Sequence, residues 1–167
     1  GSTLVNTSSF TYDRNGNPLT RDHDDQDAVY GYDVRDQVAM VTITEPGRPA
    51  MVTGYSYTPN GWVERETKGN ANTVDYGYFL DGSLRSQVEN KAGGTLVASH
   101  QLVYNANGHR TRDVSQVMNA DNHAAYLDVT TVYGYDPRDR ITSVSKTDTS
   151  SGSALSCTSL TLSPRGT

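Results

Sequence analysis

Tyr133-Gly134-Tyr135-Asp136-Pro137-Arg138-Asp139-Arg140-Ile141 is the stretch that decides how this chain folds. Tyr30-Gly31-Tyr32-Asp33-Val34-Arg35-Asp36-Gln37-Val38 is nearly the same phrase. Shorter copies are Tyr55-Ser56-Tyr57 leading to Gly61 and Val63, and Tyr76-Gly77-Tyr78 leading to Gly82 and Leu84. Phe10-Thr11-Tyr12-Asp13 leading to Gly16 and Leu102-Val103-Tyr104-Asn105 leading to Gly108 are weaker ones. A seventh, Leu160-Thr161-Leu162 leading to Gly166, runs into the end of the chain.

Each copy has a first ring position (Phe10, Tyr30, Tyr55, Tyr76, Leu102, Tyr133) and a second (Tyr12, Tyr32, Tyr57, Tyr78, Tyr104, Tyr135). The residue between them is small in every copy but the fifth, where Val103 stands. Large rings alternating with small residues have the period of a β-strand. A turn slot follows, filled by Gly16, Asp36, Gly61, Gly82, Gly108, Asp139 and Gly166. Only Gly or Asp occurs there, which suits a positive φ. A turn ending in a left-handed residue before a second strand predicts a three-residue hairpin loop with a bulge. Asp13, Asp33 and Asp136 open their turns, where Asp caps its own backbone, and Pro59 and Pro137 fit the next position. This register sets the second ring opposite a closing residue: Pro18, Val38, Val63, Leu84, Arg110 or Ile141. Most of these are aliphatic side chains that pack well against a cross-strand ring, and Arg110 breaks the pattern.

The copies recur about every 20 to 31 residues, the period of a repeat architecture. Turn formers fill the segments between them, as in Asp22 to Asp27, Glu45 to Pro49, Lys91 to Gly94 and Thr147 to Gly152. Strands are expected over Val38 to Thr44, Thr95 to Tyr104 and Leu127 to Tyr135, and the best helical candidate is Met118 to Tyr126. A single copy buries too few large side chains to offset the ordering of its backbone, so the folding unit is the array.

The chain has 167 residues, 34% of them hydrophobic, with two Phe, one Trp and eleven Tyr, all but Tyr126 inside the repeats. Tyr suits a sheet one layer thick, since its ring can be covered while its hydroxyl stays wet. A net charge of −5 without a basic stripe speaks against nucleic acid. No apolar run reaches membrane-spanning length, so no membrane insertion is expected. Cys157 is the single cysteine and excludes an internal disulfide. Gly1-Ser2 reads as an expression scar, and residues 3–167 as one repeat-domain fragment of about six hairpins plus a truncated seventh.

Other constellations read plainly. Arg21-Asp22-His23-Asp24-Asp25-Gln26-Asp27 lacks the spacing of a cation loop and reads as a solvated turn. His23, His100, His109 and His123 lie on different repeats without ligand spacing, so no metal is expected. Cys157 has no nucleophile signature. No catalytic set and no cofactor site is visible, and the chain reads as non-enzymatic.

The recurring Tyr-x-Tyr-Asp-x-x-Gly resembles the YD repeat of Rhs proteins, found also in Tc-toxin C components, bacterial wall-associated proteins and teneurins. The resemblance covers the chain from Phe10 onward. It departs at Thr58, Phe79, Asn105 and Ser163 in the Asp slot, and at Asp36 and Asp139 in the Gly slot. It implies an all-β array of antiparallel hairpins forming one curved, spiralling sheet, an arc of shell wall. It also implies a non-catalytic structural role in a larger secreted or cell-surface protein, with a C-terminal toxin domain enclosed or presented in bacterial members. The implied partners are neighbouring repeats and that passenger domain. The family's terminal Asp-Pro-x-Gly-Leu cleavage segment is absent, since Asp136-Pro137 is followed by Arg138-Asp139. The alternative is an adhesive surface module in which Tyr and Asn contact a glycan or protein. Terminal strands without neighbours raise the further expectation of edge-to-edge self-association.

The residues on which the repeat reading rests are Tyr12, Gly16, Tyr30, Tyr32, Tyr55, Tyr57, Gly61, Tyr76, Tyr78, Gly82, Tyr104, Gly108, Tyr133 and Tyr135.

Overall fold

The computed structural model describes residues 7–159. The seventh motif, at 160–166, lies outside them. The described residues form strands β1 (Ser8–Tyr12), β2 (Pro18–His23), β3 (Asp27–Tyr32), β4 (Val38–Thr44), β5 (Met51–Tyr57), β6 (Val63–Thr67) and β7 (Thr73–Tyr78). They continue with β8 (Leu84–Asn90), β9 (Leu96–Tyr104), β10 (Arg110–Met118), β11 (Tyr126–Tyr135), β12 (Ile141–Asp148) and β13 (Ala154–Ser159). The protein is all-β, one open antiparallel sheet whose strand order follows the chain from β1 to β13. The helical candidate at 118–126 is instead the end of β10, a loop and the start of β11. Asn119 N–H reaches the Ala125 carbonyl at 3.0 Å and the Asn119 side chain accepts from Asp121 N–H at 2.8 Å, which competes with helix formation.

The chain divides into two compact units, Gly1–Val74 and Asp75–Thr167. In the first, Tyr12 pairs with Pro18, Tyr32 with Val38 and Tyr57 with Val63. In the second, Tyr104 pairs with Arg110 and Tyr135 with Ile141. The second ring and the closing residue therefore face each other across the hairpin in both units.

One step further from the turn, every one of these hairpins slips by a residue. Gly31 pairs with Met40 rather than with Ala39, and Gly134 with Ser143 rather than Thr142. Such a bulge adds one residue to the returning strand, so beyond it the alternation of that strand's faces is shifted by one residue. As a result the first ring meets a different partner: Val41 opposite Tyr30, Glu66 opposite Tyr55, Val144 opposite Tyr133 and Asp113 opposite Leu102.

The sheet has little interior. Among the described residues the buried apolar side chains are Ala28, Val74 and Leu102, joined by Thr131 and Asp113. Ala28, Val74 and Thr131 all lie four residues before a second ring, on the same face as the rings. The rings themselves are only half covered, because a single layer has no facing layer to close over a long side chain. Tyr12 and Phe10 are the most open, at 57% and 48% exposure.

Candidate functional site: the turn edge and the tyrosine seam

Each turn is closed by two backbone hydrogen bonds. Asp33 N–H donates to the Gln37 carbonyl at 2.8 Å, and Asp36 N–H returns to the Asp33 carbonyl at 3.1 Å. The same pair recurs from Asp13, Thr58, Phe79, Asn105 and Asp136. The slot before the returning strand is left-handed throughout, with φ of 89° at Gly16, 59° at Asp36, 86° at Gly61 and Gly82, 80° at Gly108 and 62° at Asp139. The opposite edge uses the same device at Gly94 and at Ala71, where φ is 62° on a side chain that ordinarily avoids this region.

The Asp that opens a turn caps it. Asp33 Oδ1 accepts from Arg35 N–H at 2.8 Å and Gln37 N–H at 2.9 Å, and Asp13 and Asp136 repeat the pattern. Backbone donation from Gln37, Asn17 and Arg140 holds the carboxyls of Asp33, Asp13 and Asp136 below the usual range. Asn105 offers the same oxygen to Asn107 and His109 without a charge. Phe79 has no such oxygen. In that turn Asp81 Oδ1 takes over, accepting from Ser83 N–H at 2.9 Å and Ser83 Oγ at 2.6 Å.

The second ring does more than fill space. The Tyr32 hydroxyl donates to the Pro18 carbonyl at 2.7 Å, Tyr57 to the Val38 carbonyl at 2.6 Å, and Tyr135 to the Arg110 carbonyl at 2.7 Å. In each case the acceptor is the closing residue of the preceding hairpin. A hydroxyl expected to stay wet is instead a cross-hairpin bond. Burial raises the Tyr32 and Tyr57 phenols above their ordinary value. The sequence carried a signal for this: the second position is Tyr in the first six copies, with Leu162 in the seventh, while the first position already tolerates Phe10 and Leu102 among those six. A carbonyl acceptor, however, leaves no side-chain trace.

Two departures from the repeat pattern find reasons here. Arg110, at a closing position, lays its guanidinium 4.9 Å from the centre of the Tyr133 ring and donates to the Tyr133 hydroxyl at 3.1 Å. Asp36, in a Gly slot, accepts from Asn15 Nδ2 at 2.9 Å and Asn17 Nδ2 at 3.1 Å on the previous turn. Asp139 likewise accepts from Asn107 Nδ2 at 3.0 Å. The carboxylate in a strained slot thus ties one turn to the one before it.

The structure keeps the four histidines on separate elements. His100 Nδ1 lies 3.0 Å from Asp113 Oδ1. The acidic run at 21–27 spans the β2–β3 turn, where Arg21 bonds Gln26 at 2.6 Å and Gln26 bonds Glu45 at 3.2 Å. Cys157 lies in β13, its backbone opposite Ser145. Among the described residues no group of three His, Cys, Asp or Glu is placed to hold a metal ion, and no helix is long and apolar enough to cross a membrane.

No family model and no curated protein matches the chain. Solved structures do. A crystal structure of TcdB2-TccC3 without its hypervariable C-terminal region superposes at TM-score 0.67 with 17% identity, over 98% of this chain and 10% of that one. A structure of the Photorhabdus luminescens Tc holotoxin pore with a mutated TccC3 gives TM-score 0.64 and 15% identity, over 91% of this chain and 9% of that one. The chain therefore spans about a tenth of the length of either neighbour. At this identity the likeness is one of fold: an open antiparallel sheet like those in Tc toxin structures, whose shell is built from Rhs/YD repeats.

Proposed function

We propose that this chain is a non-catalytic segment of a YD-repeat wall within a larger secreted or surface-delivered protein, where it helps enclose or present a C-terminal toxin domain. The observation that carries this reading is the seam. Tyr32, Tyr57 and Tyr135 each bond back to the backbone of the preceding hairpin, so the repeats are built to join one another. The fold likeness to Tc toxin structures supports the same role. Single-repeat-domain character, the absence of a cofactor, and neighbouring repeats and a passenger as partners belong to this proposal.

Limited proteolysis of the parent polypeptide tests it. The segment following the repeats resists cleavage in the intact protein and becomes cleavable when the seam tyrosines are replaced by Ala. Equal cleavage from the outset with and without the seam sinks the reading. Specific retention of the isolated chain on a glycan array favours the adhesive alternative instead.

A further inference from the structure

In a repeat array the fold makes the same demand of every copy, so departures that the fold does not require point to something particular to that place. Two departures are apolar and exposed. Phe79 replaces the capping oxygen that opens the other turns, and Asp81 must cap in its stead. Val103 stands where the other copies carry Gly, Ser or Thr. These residues belong to consecutive hairpins, and they meet. Phe79 and Val103 line both of two adjoining clefts, of about 430 and 440 Å³. Tyr104 closes the first, its ring edge-on to Phe79 at 6.3 Å. Leu80 stands fully exposed on the rim, at the tip of the turn.

We propose that this surface binds a second copy of the same chain about a two-fold axis, with Leu80 of each copy seated in the Phe79–Val103 cleft of the other. The patch is self-complementary in shape, offering both a projection and a receptacle, as an interface between identical surfaces requires. It is self-complementary in charge as well. Asp81 lines the first cleft and Arg85 the second, both exposed. Neither has an ion-pair partner among the described residues. A two-fold axis between the clefts sets Asp81 of one copy against Arg85 of the other, twice. An exposed apolar cluster with this rim has the composition of a small docking site. The contact uses a turn and its flank, so it differs from pairing along a terminal strand, and it does not depend on the wall reading.

Sedimentation equilibrium from low micromolar to near-millimolar chain tests it, with circular dichroism confirming the fold of each variant. The expected result is a reversible dimer that Leu80→Asp weakens at least about tenfold, as loss of a central anchor does. Asp81→Lys and Arg85→Glu each weaken self-association by like-charge repulsion. Mixing these two variants restores dimers, because the mixed pair regains both opposite-charge contacts. A monomer across the whole range overturns the proposal. So does a dimer indifferent to Leu80→Asp, or a mixture no better associated than its components.

Discussion

At the scale of the residue, the second ring position is a hydrogen-bond donor first and a packing group second. Tyr57→Phe keeps the ring and leaves the Val38 carbonyl without its donor, so chemical denaturation should show a loss of about 1 kcal/mol. Tyr57→Ala should cost more, about 2–3 kcal/mol, yet less than truncation of a fully buried aromatic, because the ring is half covered. Equal stability of Tyr57→Phe and the parent chain would remove the seam from the account. The small slot between the rings has its own reason. A Cβ built on Gly134 runs into the Ser143 hydroxyl and crowds the Thr142 hydroxyl at 3.3 Å, while the Ser143 Cβ lies at an ordinary 3.6 Å. Gly134→Ala should therefore cost about 1–2 kcal/mol, as overpacking does. In a Ser143→Ala background the same change should cost less, with the Thr142 contact left over, a coupling that a double-mutant cycle measures.

At the scale of the element, the hairpin turn is a capped, left-handed device that titrates with acid. Asp13, Asp33, Asp81 and Asp136 have carboxyl pKa values below the ordinary 3.8, and Asp148 is brought to about 2 by Ser150 and Ser151. A carboxylate favoured in the folded state contributes its stability above the unfolded pKa and loses it as pH falls through the folded one. Unfolding midpoints should thus be flat from neutral down to about pH 4 and fall from there toward pH 2. Asn105 shows that an amide can hold the same cap. Combining Asp33→Asn with Asp136→Asn should flatten part of that acid limb with little change at neutral pH, and an unchanged limb would contradict the capping role. On the opposite edge, Ala71 bears the left-handed strain that Gly94 avoids. Ala71→Gly should stabilise the chain by about 0.5–1 kcal/mol, since relief of the strain exceeds the entropy of a freer unfolded chain.

At the scale of the whole molecule, burial is sparse and the connections run between neighbours in sequence. Ala28, Val74 and Leu102 are the only buried apolar side chains among the described residues. A single hairpin, such as residues 27–44, has neither an interior nor the bonds that the adjacent hairpins supply. As an isolated peptide it should give a disordered circular dichroism spectrum, in keeping with the marginal stability of lone hairpins. A folded spectrum for that peptide would relocate the stability from the seam to the hairpin. The full chain should also lose stability in alkali. Tyr32, Tyr55, Tyr57 and Tyr78 have raised phenol pKa values from burial, so their contribution is present below pH 10 and is lost as pH rises through the folded value.

The sequence by itself determined the hairpins. Period-two rings, a Gly or Asp slot with positive φ and an Asp that caps its own turn are local properties, so Tyr32 opposite Val38 and Tyr135 opposite Ile141 follow from the sequence. The array followed from recurrence, and with it the sheet whose order follows the chain. What lay between hairpins was not legible. The Pro18, Val38 and Arg110 carbonyls that receive the tyrosine hydroxyls are backbone atoms, which any residue supplies. The bulge that shifts Gly31 onto Met40 moves the first ring's partner without a mark in the pattern. The Asp36 and Asp139 departures became intelligible only when Asn15 and Asn107 were found beside them, about twenty to thirty residues away along the chain. Phe79 and Val103 looked like two unrelated lapses until tertiary structure set them in one cleft. Local geometry is written in neighbouring side chains, whereas contacts between repeats depend on where the backbone carries each one, and that only the folded sheet decides.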